Sequence, residues 1–372
     1  MVEWKKLGEC LDYEQPTPYL VKSTDYDDSY ATPVLTAGQS LLLGYTNETE
    51  GIFKANKEYP TIIFDDFTTS YHWIDYDFKV KSSAMKMLRP KSGVNFRYVY
   101  YAMQGINFIP TQHQRHWISK YSLFQIPLLS KSEQERIVSI LDTFTSSIAN
   151  LKEQIKERRK QYEHYRDQLL DLEGKEGVEM KTLGEIFSFK NGLNKGKDYF
   201  GKGKLIIMFS NVFNSRYIDS TMLKNRVDIN NNELERINAN KGDVFFTRTS
   251  ETKEDVGYAS VLLEEIKECT FAGFLIRARP ILNVFIPEYC KYCFSTQKVR
   301  ESIVCRSSFT TRASLTGNGL GKVEIPIPPK QTQSRIVSIL DQFEASIANL
   351  EAQLKEREKQ YEYYRNQLLT FE

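Results

Sequence analysis

Cysteine is scarce in this 372-residue chain. Cys10, Cys269, Cys290, Cys293 and Cys305 follow no framework spacing, which excludes a small disulfide-stapled scaffold. With no signal-peptide pattern at the start, the expected compartment is the reducing cytoplasm. No run of about 18 apolar residues occurs, so no membrane-spanning helix is expected. Histidine is down to four, His72, His113, His116 and His164, and no Ser-His-Asp or Cys-His constellation can be built from them. Charge of one sign is missing too. Fifty Lys and Arg stand against 48 Asp and Glu, a net of +2, which alone says little about nucleic acid.

Proline and glycine are absent from two long stretches, and those stretches are copies of each other. Gln134 to Leu170 and Gln333 to Leu369 align without a gap at a constant offset of 199, with 27 of 37 positions identical. Ile137, Leu141, Phe144, Ile148, Leu151, Ile155 and Tyr162 follow a 4-3 spacing, interrupted only at Arg158. Ile336, Leu340, Phe343, Ile347, Leu350, Leu354 and Tyr361 repeat it, interrupted at Arg357. Tyr165, Leu169 and Leu172 extend the first seam; Tyr364, Leu368 and Phe371 extend the second. Apolar residues held at a 3.5-residue period over five heptads predict a coiled-coil seam. At about 1.5 Å per residue each helix is roughly 55 Å long.

Two matching seams in one chain favour an intramolecular antiparallel pair over a homodimer, because tethering raises their effective concentration. Arg158 and Arg357 then face a partner seam. Each is expected to snorkel outward or to find a glutamate such as Glu153 or Glu356, and to help set register.

The duplication extends beyond the helices. Val2-Glu3-Trp4-Lys5-Lys6-Leu7-Gly8-Glu9 is echoed by Val178-Glu179-Met180-Lys181-Thr182-Leu183-Gly184-Glu185. Gln125-Ile126-Pro127 and Glu324-Ile325-Pro326 precede the two helices, again 199 apart. The repeated unit is a lead-in, a variable insert, an Ile-Pro exit and a long helix, with Gly174 to Gly177 as a short polar linker. The expected fold is α+β, with two globular α/β domains at residues 1–131 and 174–331. They are joined by helices at 132–173 and 332–372 that pair as an antiparallel coiled coil, a pseudo-two-fold internal repeat. The surplus positive charge lies in residues 174–331, with 24 basic and 18 acidic side chains, while each helical segment carries −2. The rods are therefore not the expected phosphate-binding surface.

Enzyme signatures come close and fail. Gly196 to Gly203 has phosphate-loop spacing up to Lys202, but Gly203 stands where Ser or Thr should ligate Mg²⁺. No Asn-Pro-Pro-aromatic motif is present, so an amino-methyltransferase site is missing. Cys290 and Cys293 lack a second Cys or His pair for zinc and read as core residues. Asp65 or Asp66, followed by Asp77-Phe78-Lys79, mimics the acid…acid-x-Lys pattern with which metal-dependent nucleases hold Mg²⁺. An acid-rich hairpin gives the same pattern. His113 and His116 read as surface or hydrogen-bonding groups.

What remains is a set of polar, basic loops with aromatic neighbours. In the first insert they supply Thr69, Ser70, Lys81, Ser82, Lys86, Gln114 and Arg115, the last two continuing from Gln112 and His113. In the second they supply Arg248, Thr249, Ser250, Arg306, Ser307 and Arg312. These residue types suit base edges and phosphates, and Arg can bind guanine through two hydrogen bonds.

The layout resembles, across the whole chain, the specificity subunits of type I DNA restriction–modification systems. Ile325-Pro326-Ile327-Pro328-Pro329 with Gln333, Arg335-Ile336-Val337 and Leu340 is similar to that family's lead into a conserved helix. Lys241 to Arg248 resembles a recurrent core stretch of its recognition domains. Thr32 to Gly38 with Ile62 to Thr69 resembles another. The resemblance implies a non-catalytic reader of double-stranded DNA whose inserts are target-recognition domains for two unlike half-sites, with the helices setting their spacing. It implies two modification subunits as partners, carrying S-adenosylmethionine, and restriction subunits using ATP and Mg²⁺. No cofactor or metal is expected on this chain. The alternatives are a metal-dependent nuclease using Asp65, Asp77 and Lys79, and a coiled-coil scaffold that never touches DNA.

Overall fold

The computed structural model describes residues 2–36, 38, 40–110 and 114–370. Ala37, Gln112, His113 and Phe371, which entered the sequence reading, lie outside them. The chain divides into two compact units, Met1–Glu153 with Ala352–Glu372, and Gln154–Glu351. The division cuts both long helices, Lys131–Leu170 and Lys330–Leu369, so each unit holds a globular part and half of each helix.

In the first unit, strand Glu3–Lys6 pairs antiparallel with Gln125–Leu128. The second unit repeats this with Glu179–Thr182 and Glu324–Ile327. The echoed lead-in and the Ile-Pro exit thus form a two-stranded ribbon at the base of each globular part. A glutamate closes the short turn that follows: Glu9 accepts the Lys6 N–H at 2.8 Å and Glu185 the Thr182 N–H at 2.7 Å. This is the acid's half of a capping box, a carboxylate three residues past the cap position reaching back to the cap N–H.

The two inserts share a sheet that their sequences hide. The first has four antiparallel strands in the order Leu11–Glu14, Met85–Pro90, Thr61–Asp65, Tyr71–Ile74. The second has Phe187–Asn191, Leu275–Pro280, Val244–Thr247 and Ala259–Leu262 in the same order, plus Tyr217–Ile218 at the edge. Their registers agree. Leu11 faces Pro90 and Ile62 faces Leu88, as Phe187 faces Pro280 and Val244 faces Ala278. The central strands, Ile62-Ile63-Phe64 and Val244-Phe245-Phe246, are wholly buried. That is why both read as continuous apolar runs without alternation.

Each long helix is tied to its globular part by the same aspartate. Asp142 accepts hydrogen bonds from Arg97 Nε at 2.7 Å and Tyr101 Oη at 2.5 Å, both on helix Phe96–Met103. Asp341, 199 residues on, accepts from Lys291 Nζ at 2.8 Å and Tyr292 Oη at 2.5 Å, both on helix Pro287–Cys293. The starts of the long helices, Ile137 and Leu141, or Ile336 and Leu340, are buried in these globular cores.

Further along, the helices run antiparallel and pack on each other. In the first unit the Phe144 and Tyr364 rings stack at 5.2 Å; in the second, Tyr165 and Phe343 stack at 5.4 Å. Ile148, Leu151, Ile347 and Leu350 are only half-buried, because a lone helix pair covers one stripe from one side. The seam arginines find rings rather than glutamates. Arg158 lies 5.9 Å from the Phe343 centroid and Arg357 lies 5.6 Å from that of Phe144.

Candidate nucleic-acid interface

The residue after each central strand marks the same place in both sheets. In the first insert this is Asp66, whose carbonyl accepts the His116 N–H at 2.8 Å; in the second it is Arg248, whose carbonyl accepts the Leu315 N–H at 2.8 Å. The turn leaving the central strand thus meets the loop that precedes the exit. Most of the predicted candidates fall on these two segments.

In the first unit Asp66 is the pin. It is 1% exposed. Its Oδ1 accepts the backbone N–H groups of His116 at 3.1 Å and Trp117 at 2.7 Å, and its Oδ2 lies 3.3 Å from Lys86 Nζ. A buried carboxylate holding two N–H groups and a cation is fully compensated. Around it stand exposed Gln114 and Arg115, and the turn carrying Thr68 and Ser70, whose hydroxyl oxygens are 2.7 Å apart. The Lys81–Ala84 loop joins the same face, since Asp66 N–H donates to the Ala84 carbonyl at 2.9 Å. There Lys81 is exposed, 5.9 Å from the Tyr26 ring. Ser82 Oγ accepts the Ala84 N–H at 3.1 Å.

Two candidates prove internal. Lys86 is 1% exposed, engaged by Asp66 and by Gln15 Oε1 at 3.0 Å. Thr69 is buried at a φ of 59°, its hydroxyl donating to the Thr68 carbonyl at 2.7 Å. Neither side chain is available to a base. His116, read as a surface or hydrogen-bonding group, is not on the surface: it is buried, its ring 5.4 Å from Phe108. The residues before it are polar, but Asp66 holds the His116 and Trp117 N–H groups and draws the loop inward.

In the second unit the candidates assemble on one small sheet. Thr249–Ser250 pairs with Ala313–Ser314, which pairs with Ser308–Phe309. This joins the stretch after Arg248 to the hairpin carrying Arg306, Ser307 and Arg312. Arg306 and Arg312 are exposed, Arg312 lying 3.8 Å from Glu251, and Ser307 Oγ donates to the Val304 carbonyl at 2.7 Å. Arg248 is half-buried. Phe209, Phe274, Thr249, Ser250 and Arg312 line a groove here. Phe274 and Phe309 are 60% and 52% exposed. Aromatic faces beside arginines and hydroxyls suit nucleotides. Phe209 and Phe274 were missed by sequence reasoning, since an isolated Phe beside a turn carries no signal of exposure.

The catalytic alternatives dissolve in this geometry. Strand Thr61–Asp65 runs antiparallel to Tyr71–Ile74 with Thr61 facing Ile74. Asp65 therefore ends its strand about 13 Å, by strand rise, from Thr61, and it is at the Thr61 end that the partner strand leaves Ile74 toward Asp77. Asp65 Oδ1 accepts the Phe67 and Thr68 N–H groups, Asp77 pairs with Lys54 at 2.6 Å, and buried Lys79 holds Glu48 at 3.1 Å. Among the described residues no group of three or more His, Cys, Asp or Glu could hold a metal. Burial pushes the Cys290 thiol well above its ordinary pKa and that of Cys293 up to about 12, so both are inert core thiols. No helix among the described residues is long and apolar enough to cross a membrane.

The chain matches the model of the type I restriction modification DNA specificity domain twice, over residues 1–158 and 175–359. It is 39% identical over its whole length to the Type I restriction enzyme EcoR124I/EcoR124II specificity subunit of Escherichia coli, covering 94% of that protein. A putative type I restriction enzyme specificity subunit of Haemophilus influenzae is 27% identical, with 100% and 96% of the two chains covered. The S subunit of a type I restriction-modification system from M. genitalium has the same fold, with a TM-score of 0.60 at 16% identity, covering 100% and 97% of the two chains. Two family matches, one for each lead-in, insert and helix, account for the duplication, and the chain belongs to the type I restriction-modification DNA specificity family, as a DNA-recognition subunit with no catalytic role of its own.

Proposed function

We propose that residues 1–131 and 174–331 are two target-recognition domains that each read one half of a bipartite, asymmetric DNA target. One observation supports this reading above others. Unlike inserts bring unlike candidate side chains to the same position on the same sheet: Ser70, Gln114 and Arg115 in one, Thr249, Ser250, Arg306 and Arg312 in the other. A shared scaffold with different tips is what two different half-sites require. The long helices, at 132–173 and 332–372, then set the spacing of the half-sites, with about one DNA turn placing both on one face of the duplex.

The repeated frame serves as the dock for two modification subunits, which bring S-adenosylmethionine and methylate the target. Restriction subunits using ATP and Mg²⁺ join for cleavage. This chain directs them to the site in the cytoplasm and holds none of those cofactors. The test is reconstitution with the modification subunit. The purified chain alone should neither methylate nor cut, and the complex should methylate one bipartite sequence. Mg²⁺-dependent cleavage by the chain alone, lost in Asp77→Ala, would overturn the reading in favour of a nuclease. Partner binding without any sequence-dependent DNA binding would reduce the chain to a scaffold.

A further inference from the structure

The two long helices differ at only ten of 37 aligned positions, and just two differences reverse a charge: Lys152 against Glu351, and Arg159 against Glu358. The structure pairs these four residues crosswise. In the first unit Lys152 Nζ lies 3.2 Å from Glu358 Oε1; in the second, Arg159 Nη2 lies 2.6 Å from Glu351 Oε1. Each pair takes one residue from each helix. The first helix carries only the basic members and the second only the acidic ones.

The internal symmetry shows what either helix would meet in a copy of itself. Residue n of the first helix corresponds to n plus 199 of the second. Replacing the second helix by another first helix puts Arg159 where Glu358 stands and Lys152 where Glu351 stands. Both ion pairs become Lys152 against Arg159, a like-charge contact. Two second helices would set Glu351 against Glu358 twice. The seam cannot make this distinction, because its residues from Ile137 to Leu169 and from Ile336 to Leu368 are the same in both copies apart from Ile155 and Leu354. A duplicated seam is as apolar toward itself as toward its sister.

We infer that the Lys152–Glu358 and Arg159–Glu351 pairs are a partner-selection code that makes the two helices choose each other over copies of themselves, and so disfavours joining two copies of this chain through like helices, while tethering within one chain disfavours exchange of unlike ones. The code is the helix analogue of flank charges that set partner choice in coiled coils. All four side chains are roughly half-exposed, so each pair is individually weak and screened by salt. Attraction at two sites replaced by repulsion at two sites shifts the preference about tenfold at low ionic strength.

The test uses full-length chains with two different affinity tags, unfolded in denaturant, mixed and refolded at about 50 mM salt. Wild type with wild type should give little co-capture. Lys152→Glu/Arg159→Glu makes both helices acidic at these sites, and Glu351→Lys/Glu358→Arg makes both basic. Each variant clashes within itself but complements the other, so their mixture should co-capture about tenfold more than wild type and lose that excess at 0.5 M salt. The fourfold reversal restores complementarity within one chain. It should refold with the wild-type thermal midpoint and little co-capture, which separates a charge code from simple loss of folding. Equal co-capture from the wild-type and complementary mixtures, or none from either, would overturn the inference. So would a fourfold reversal that behaves like the twofold variants.

Discussion

The guanidinium of Arg158 lies over the Phe343 ring, 5.9 Å from its centroid, and its repeat partner Arg357 lies 5.6 Å over Phe144, the repeat partner of Phe343. Each phenylalanine also stacks on a tyrosine of the opposite helix, Tyr165 on Phe343 and Tyr364 on Phe144. A charge in an apolar seam is thus lodged against a π face on a half-buried side chain. The arrangement occurs once in each unit and explains why the interruption of the heptads is itself duplicated.

Removing the ring tests this directly. Phe343→Ala should lower stability by about 1–3 kcal/mol, at the low end for a half-buried aromatic. A double-mutant cycle with Arg158→Ala should return a coupling of about 0.5–1 kcal/mol. Chemical denaturation of the full chain measures both, and additive single effects would mean the contact carries no energy.

Lys86 and Arg115 should part company. Lys86→Met leaves Asp66 charged and buried, which costs about 3–5 kcal/mol. Arg115→Ala, on an exposed tip of the same face, should change stability by less than about 0.5 kcal/mol while weakening specific DNA binding. Thermal melts set beside binding titrations with the reconstituted complex distinguish the two.

Acid should loosen the second unit's hold on its helix. Burial works against ionisation of Asp341, but hydrogen bonds from Lys291 and Tyr292 outweigh it and hold the carboxyl below its usual range. A depressed folded-state pKa gives stability that is present above the unfolded value and lost as pH falls through the folded one. Asp341→Asn should therefore be less stable than wild type at pH 7, by under about 1 kcal/mol for a half-exposed pair. The gap should close below about pH 4, where the unfolded carboxyl protonates. Melting both proteins across pH 3–7 checks the sign.

The spacer role makes a length prediction. Inserting four residues into each long helix adds about 6 Å to the helical pair. The spacer between half-sites should then grow by one to two base pairs, with both half-sites unchanged. An unaltered spacer in the methylation pattern would remove the helices from that role.

The long helices were legible because a 3.5-residue period, near-identity and the absence of Pro and Gly all agree. The fate of their arginines was not, since a cation–ring contact needs a partner 185 or 213 residues away. The shared sheet was invisible for a different reason. Met85-Lys86-Met87-Leu88-Arg89-Pro90 and Leu275-Ile276-Arg277-Ala278-Arg279-Pro280 occupy the same register but share only their last two residues. Burial, not identity, decides membership of such a strand. Lys86 misled because a lysine in a polar stretch reads as exposed unless its carboxylate, 20 residues earlier, is known to face it. The loops around Arg115 and Arg312 were found by composition alone, and the meeting of each with the end of its own sheet's central strand came from topology.

The central claim is that each insert reads its own half of the target, and the methylation pattern of DNA in a host making this chain with its modification subunit tests it most directly. Wild type should methylate one sequence with two unlike halves, and Arg312→Ala should relax only the half read by the second insert, leaving the other half and the spacer intact. Relaxation of both halves together, or methylation with no bipartite sequence at all, would contradict the account.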